Sequence, residues 1–337
     1  MAHMDDFLAK QYDKGARKLN VSQVLDGSVP FTKWQEEIKN KLRELMGRFP
    51  KDEGGPVFSQ MEQEEPFSFG TRSRILIRSE EGLNTPSYLL QPFQMRDDTP
   101  VILCLHGHGF GSTDITGVRQ EESYQKKFAV SVCQNGMVAL APELAGFGSL
   151  RLQENMIPGK DEDSSCIRLS MGLISCGRTM AGVRIQQCIQ ALNIIQRLFP
   201  DHPIGVMGIS GGGMIATQIS VLDERVQASV ISGYACTFRD SILSIYHCVD
   251  NYLPNMLDWF EMEDLLCAIA PRHMLWESAT GDPIFPHEAT LRVEKTVRKC
   301  YEKLGIKDRF DIDVFQGGHE ISGAKSYEFL KTRLQKE

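Results

Sequence analysis

Apolar positions change their period along the chain, and each change marks an element. Between Asp5 and Phe49 they recur at three- and four-residue spacing: Phe7, Leu8, Tyr12 and Leu19, then Trp34, Ile38, Leu42 and Met46. That spacing gives each of two helices one apolar face, and Pro30 breaks the chain between them. Residues 5–50 are thus expected to form a helical extension that packs on the main domain or on a second copy of the chain. Residues 51–71, rich in Glu, Gly and Pro, read as a linker. Ser73–Arg78 and Pro86–Leu90 then have strand character and flank a turn-like Glu80–Asn84, which predicts an antiparallel pair at a sheet edge.

Further on, the apolar runs become continuous. Val101–Leu105, Met137–Ala141, Ile204–Ile209 and Val226–Ile231 read as strands buried on both faces, and Arg272–Glu277 and Phe310–Phe315 as two more. Helical stretches at Glu121–Asn135, Ile167–Phe199, Glu288–Lys303 and Tyr327–Leu334 lie between or after them. Alternating strands and helices predict an α/β domain over residues 72–337, with a mainly parallel central sheet and helices on both faces. The alternation lapses at about 234–270. That aromatic, apolar segment follows a strand's C-terminal end, so it is expected to form a small lid or pocket wall. Phe110, Tyr234, Phe238, Trp259 and Ile284 are candidate pocket residues.

Composition narrows the function classes. The 337 residues are 42% hydrophobic and 24% charged, with a formal net charge of -7, as in ordinary globular proteins. A mildly acidic chain without a basic run is a poor partner for nucleic acid. Nine cysteines, an odd number with no C-x-x-C spacing, point to reduced thiols in a cytoplasm and away from a structural zinc site. No apolar signal core opens the chain, and no apolar run approaches the length of a membrane span. A cytoplasmic location with no membrane partner is therefore expected.

The chemistry centres on Gly208-Ile209-Ser210-Gly211-Gly212, which fits G-x-S-x-G between an apolar strand and a helix. Such a turn lifts the serine hydroxyl clear of the sheet and aims the first helical amide, that of Gly211, at the space above it. Asp282 and His319 follow in loops after later strands, on the edge where open α/β sheets place their sites. Serine hydroxyl is a poor nucleophile until an imidazole takes its proton, and the imidazole needs a carboxylate to fix its tautomer. Ser210, Asp282 and His319 are the candidate triad. Glu277 is a rival carboxylate that lies inside a predicted strand, and Glu320 adjoins the histidine without being placed to orient it. The second oxyanion donor is expected in His106-Gly107-His108-Gly109, at the amide of His108 ahead of that of Gly109. His106 is expected to pack and hydrogen-bond. Metal ligation by His106 and His108 is disfavoured because no carboxylate partner is visible near them in sequence, and no nucleotide-binding glycine motif occurs. No cofactor is implied.

With these motifs in place, the chain resembles the α/β-hydrolase superfamily, and within it the dienelactone-hydrolase and acetyl-xylan-esterase-like branch. The matching stretches are Leu105–Gly109, Ala141–Gly148, Gly208–Gly212, Ala270–His273, Gly281–Pro286 and Gly317–Glu320. They span roughly residues 72–335 and leave the N-terminal helices unexplained. The resemblance implies the α/β-hydrolase fold and an esterase-type serine hydrolase, and the compact, apolar lid region favours a small-molecule ester with a short acyl or acetyl group. The resemblance also implies the triad above and an oxyanion hole from the amides of Gly211 and His108. Dienelactone hydrolases carry a cysteine where this chain has Ser210, which points away from their substrate. Two rival readings are a peptidase like the prolyl-oligopeptidase catalytic domains and a non-catalytic hydrolase-fold binding protein. The N-terminal helices offer a surface for a homo-oligomer.

Overall fold

The continuous apolar runs arise because each strand is covered on both faces. In a computed structural model, which describes residues 3–50, 57–60, 65–161 and 163–335, ten strands form one mixed sheet. They are β1 (Phe58–Gln60), β2 (Glu65–Phe67), β3 (Gly70–Glu80), β4 (Leu83–Pro92), β5 (Val101–Leu105), β6 (Val138–Pro142), β7 (Ile204–Ile209), β8 (Val226–Ser232), β9 (His273–Ala279) and β10 (Phe310–Phe315). The order is β1-β3-β4-β6-β5-β7-β8-β9-β10, with β2 also on β3. Pairings are antiparallel from β1 and β2 through β4 to β6 and parallel from β6 onward. Parts of the stretch read as a linker are therefore sheet-edge strands; its residues 51–56 and 61–64 lie outside those described.

Successive side chains of a strand point to opposite faces. Val101, Leu103 and Leu105 of β5 accordingly join one core cluster, and Ile102 and Cys104 the other. The helices are α1 (Met4–Asp13), α2 (Ser22–Leu25), α3 (Phe31–Leu45), α4 (Ser112–Ile115), α5 (Phe128–Gln134), α6 (Cys166–Ser175), α7 (Met180–Leu198), α8 (Gly211–Leu222), α9 (Met262–Cys267), α10 (His287–Lys303) and α11 (Ser326–Leu334). The first cluster is covered by α3, α7, α8 and α10, the second by α5 and α11.

The N-terminal helices belong to this core. Trp34, Ile38, Leu42 and Met46 are fully buried in the first cluster, and Trp34 Nε1 donates to Leu19 O at 2.9 Å. The apolar face of α3 is thus covered within the chain, whereas α1 buries no residue and leaves Phe7 and Leu8 exposed.

Two elements depart from the periodicity. The helix predicted over Glu121–Asn135 forms only at Phe128–Gln134, because Lys126 and Lys127 turn into the left-handed region. The residues before them bind the loop after β5: Gln125 Oε1 accepts from Gly107 N at 2.7 Å, and Tyr124 Oη donates to His108 O at 2.7 Å. Segment 234–270 is an insertion of irregular chain plus α9. Its Phe238, Ile242, Met256 and Phe260 turn down into the core, so only part of it walls the sheet edge. Among the described residues no helix is long and apolar enough to cross a membrane.

Candidate active site

Ser210 sits in the turn between β7 and α8 at φ 58°, ψ -123°, a conformation that L-residues rarely adopt. The flanking glycines are steric necessities: a Cβ on Gly208 would lie 2.3 Å from Gly212 O, and one on Gly212 would lie 2.0 Å from Leu105 O. The Ser210 amide donates to Ser232 O at 3.0 Å, which ties the turn to β8. Gly211 opens α8, so its N–H has no carbonyl partner within the helix.

Asp282 and His319, 37 residues apart, meet in space. His319 Nδ1 lies 2.8 Å from Asp282 Oδ2, and the carboxylate's other oxygen accepts the amides of Ile284 and Phe285 at 2.8 and 3.0 Å. Burial opposes the Asp282 charge, but the His319 hydrogen bond and these amides outweigh it and hold the carboxyl below its ordinary range. The imidazole is sandwiched between Tyr124 and Phe285, with centroids 5.4 and 5.7 Å away. Its Nε2 is buried and makes no hydrogen bond among the described residues. Ser210 adjoins this sandwich: a Cβ on Gly107 would lie 3.2 Å from Ser210 Cβ and 2.3 Å from the Tyr124 hydroxyl.

The rival carboxylate has a different partner set. Glu277 accepts from the hydroxyls of Ser232 and Ser326 and the amides of Ser322 and Gly323, and so anchors the segment after the histidine. Glu320 pairs with Lys126 at 3.1 Å.

His108 stands beside Ser210's helix. A Cβ on Gly211 would lie 3.2 Å from the His108 ring, so the two backbone segments expected to donate to an oxyanion are neighbours. His106 packs as expected, with Nδ1 2.8 Å from Gly107 O and Nε2 accepting the Leu144 amide at 3.0 Å. Both histidines have carboxylate neighbours that sequence proximity did not reveal: Glu143 lies 3.1 Å from His106, and Asp250 3.2 Å from His108.

Asp250 is the hub of a buried cluster. Arg184 of α7 reaches Asp250 Oδ2 at 2.6 Å, Cys166 Sγ at 3.1 Å and Ala145 O at 2.9 Å. Burial disfavours the His108 imidazolium, yet Asp250 more than offsets this and raises it to about 9. The neighbouring Cys248 thiol and the Arg184 guanidinium lower the Cys166 thiol below its ordinary value. None of these partners carries a local motif.

The pocket candidates divide. Tyr234 lies 5.5 Å from Phe285 by ring centroid, and Ile284 binds Asp282 through its amide, so both adjoin the triad candidates. Phe238 is a core residue whose amide donates to Glu261, because its segment folds inward. Trp259 is covered by the ammonium groups of Lys18 and Lys41 at 4.5 and 3.8 Å, where the N-terminal extension docks. Phe110 carries the Arg119 guanidinium 3.7 Å above its ring and lines a cavity of about 800 Å³ with Tyr88, Glu143 and Arg151, outside the triad. The wall facing His319 and His108 includes Phe285, Phe147 and His247, which periodicity did not single out.

Residues 26–285 match the Abhydrolase family, and the chain belongs to it. It is 26% identical over 246 residues to the putative hydrolase YtaP of Bacillus subtilis (strain 168), a match covering 69% of this chain and 77% of that one. Its fold is like that of a putative acetyl xylan esterase from Bacteroides fragilis, with TM-score 0.76 and 17% identity over 94% of this chain and 82% of the other. A glucuronoyl esterase from Solibacter usitatus superposes with TM-score 0.65 and 14% identity over 90% and 92% of the two chains.

Proposed function

We propose that this protein hydrolyses carboxylic esters with a short acyl or acetyl group, through a Ser210–His319–Asp282 triad and an acyl-enzyme intermediate. The observation that carries the reading is the 2.8 Å pairing of Asp282 with His319 Nδ1, which leaves Nε2 unpartnered beside the strained Ser210 turn. The names of the esterases that share the fold agree with it. In this reading His319 Nε2 takes the Ser210 proton as Oγ attacks the ester carbonyl. The amides of Gly211 and His108 donate to the oxyanion. His319 then returns the proton to the leaving alkoxide, and a water deprotonated by the same nitrogen releases the acid. Asp282 fixes the tautomer with Nδ1 protonated, and the Tyr124–Phe285 sandwich keeps the ring in plane.

A fluorophosphonate probe followed by intact-mass measurement tests this. Wild type is expected to gain one adduct and Ser210→Ala none, with p-nitrophenyl ester turnover falling steeply as the acyl chain lengthens. A Ser210→Ala variant that keeps wild-type turnover would overturn it.

A further inference from the structure

The cluster around Asp250 is made of metal-ligating atoms. His108 Nε2, Cys166 Sγ, Cys248 Sγ and an Asp250 oxygen all lie within 4.8 Å of one another. They come from three segments distant in sequence: the loop after β5, the first residue of α6, and the turn at 248–251 in the insertion. We propose that these four side chains form a binding site for a divalent transition-metal ion of the zinc type.

The donor set selects the ion. Two sulfurs, one imidazole nitrogen and one carboxylate oxygen suit Zn²⁺ or Co²⁺ and not Mg²⁺ or Ca²⁺, which take oxygen ligands. Tetrahedral zinc, with bonds of about 2.0–2.3 Å, holds its ligand atoms roughly 3.3–3.8 Å apart. Side-chain rotations of about an ångström therefore close the shell. His108 Nε2 is buried and faces Asp250 Oδ2 at 3.2 Å, an ion-pair distance without hydrogen-bond geometry, so it points into the cluster. His108 and Cys248 are half-buried while Cys166 and Asp250 are buried, which gives the cluster an open side for entry.

Arg184 is the apparent obstacle, a guanidinium bonded to both Asp250 and Cys166. Formal charge resolves it. Two thiolates and a carboxylate carry three negative charges, which a dication and the guanidinium together balance, so the filled site is neutral. Arg184 then holds Asp250 and Cys166 from behind. The ion would tie the insertion to the His108 loop and stiffen it.

The test is spectroscopic and independent of esterase activity. Protein stripped with a chelator and kept reduced is titrated with Co²⁺, then with Zn²⁺. Expected are intense visible bands of tetrahedral cobalt with a thiolate charge-transfer band in the near ultraviolet, complete at one equivalent and displaced by one equivalent of Zn²⁺. Cys166→Ser and Cys248→Ser should each weaken Zn²⁺ binding at least about tenfold. Cys176→Ser, at an exposed cysteine just past α6, should leave both bands unchanged. Wild-type protein that leaves Co²⁺ with the weak spectrum of its aqua ion would overturn the proposal. So would tetrahedral bands that persist in the Cys166→Ser/Cys248→Ser double variant.

Discussion

The floor of the candidate site and its wall are built by opposite rules. The floor, Ser210 with Asp282 and His319, stands on loops at the C-terminal ends of β7, β9 and β10, and each of the three residues adjoins a glycine. The wall, His108 with Asp250, Arg184, Cys166 and Cys248, is assembled from four segments by charge and hydrogen bonding. Floor residues can change with little effect on the core, because Asp282 and His319 bind one another and loop amides. Arg184 and Asp250 of the wall cannot, because both are 1% exposed and they form a buried ion pair. In the proposed mechanism, chemistry thus depends on the floor and cohesion on the wall.

The sharpest break of this contrast uses two buried carboxylates only five positions apart. Asp282 Oδ1 is pinned by two amides, so in Asp282→Asn the amide oxygen stays there and the NH₂ turns toward His319 Nδ1. That nitrogen becomes an acceptor, the proton moves to Nε2, and the base is lost. A fall in kcat of about 10⁴-fold is expected, with the melting temperature little changed. Each Glu277 oxygen accepts one backbone amide, that of Ser322 or of Gly323, so Glu277→Gln sets an NH₂ against one of those N–H groups in either orientation. It should destabilise by about 1–3 kcal/mol and cost less than tenfold in kcat. Ester kinetics and urea melts on both variants check the pair; the reverse pattern would make Glu277 the triad acid.

How much of this was legible in the sequence follows the same division. A strained turn, a steric close approach or an Asx-type loop imposes residue identity within a few positions, so Ser210, Asp282 and His319 could be put forward as candidates from spacing and strand order, and the structure pairs the last two. The burial of β5 and β7 on both faces was legible from their continuous apolar runs. Nothing local requires Asp250 to follow His108 by 142 positions, or Arg184 to reach Cys166. Trp259 and Phe238 show the converse: aromatic and apolar at the right place in the chain, they serve the core and the docked extension. The helix predicted at Glu121–Asn135 failed where Tyr124 and Gln125 bond the loop after β5, a tertiary demand that overrides periodicity.

On the wall the expected effect is stability. Arg184→Met leaves the buried Asp250 with His108 alone as its cation and should cost about 3 kcal/mol. Arg239 pairs with Asp13 at 2.5 Å, but both side chains are at least half exposed, and Arg239→Met should change stability by under about 1 kcal/mol. Urea midpoints of the two variants compare them directly. Equal losses would mean that burial of the Arg184 pair does not set its weight.

A pH dependence is expected in the same insertion, spread over several pH units. Glu261 caps α9 and takes the amides of Phe238 and Met262 on one oxygen. Burial is the leading cause that pushes its carboxyl up to about 7, against the opposing pull of those amides. A carboxyl whose folded pKa lies above its unfolded value favours the protonated native state. Its stabilisation is complete below about pH 4.5 and is lost as pH rises through about 7. A tenfold difference in proton affinity between the folded and unfolded chain is worth about 1.4 kcal/mol, so the loss between those limits is at most about 3.5 kcal/mol. Glu261→Gln keeps a carbonyl oxygen for both amides and cannot ionise, so its urea midpoint should fall less from pH 5 to 8 than that of wild type, the remaining slope coming from Asp264 in the same cap, whose carboxyl burial pushes up to about 6. Parallel pH profiles for the two proteins would mean that Glu261 is ionised throughout, and that its two amides outweigh its burial.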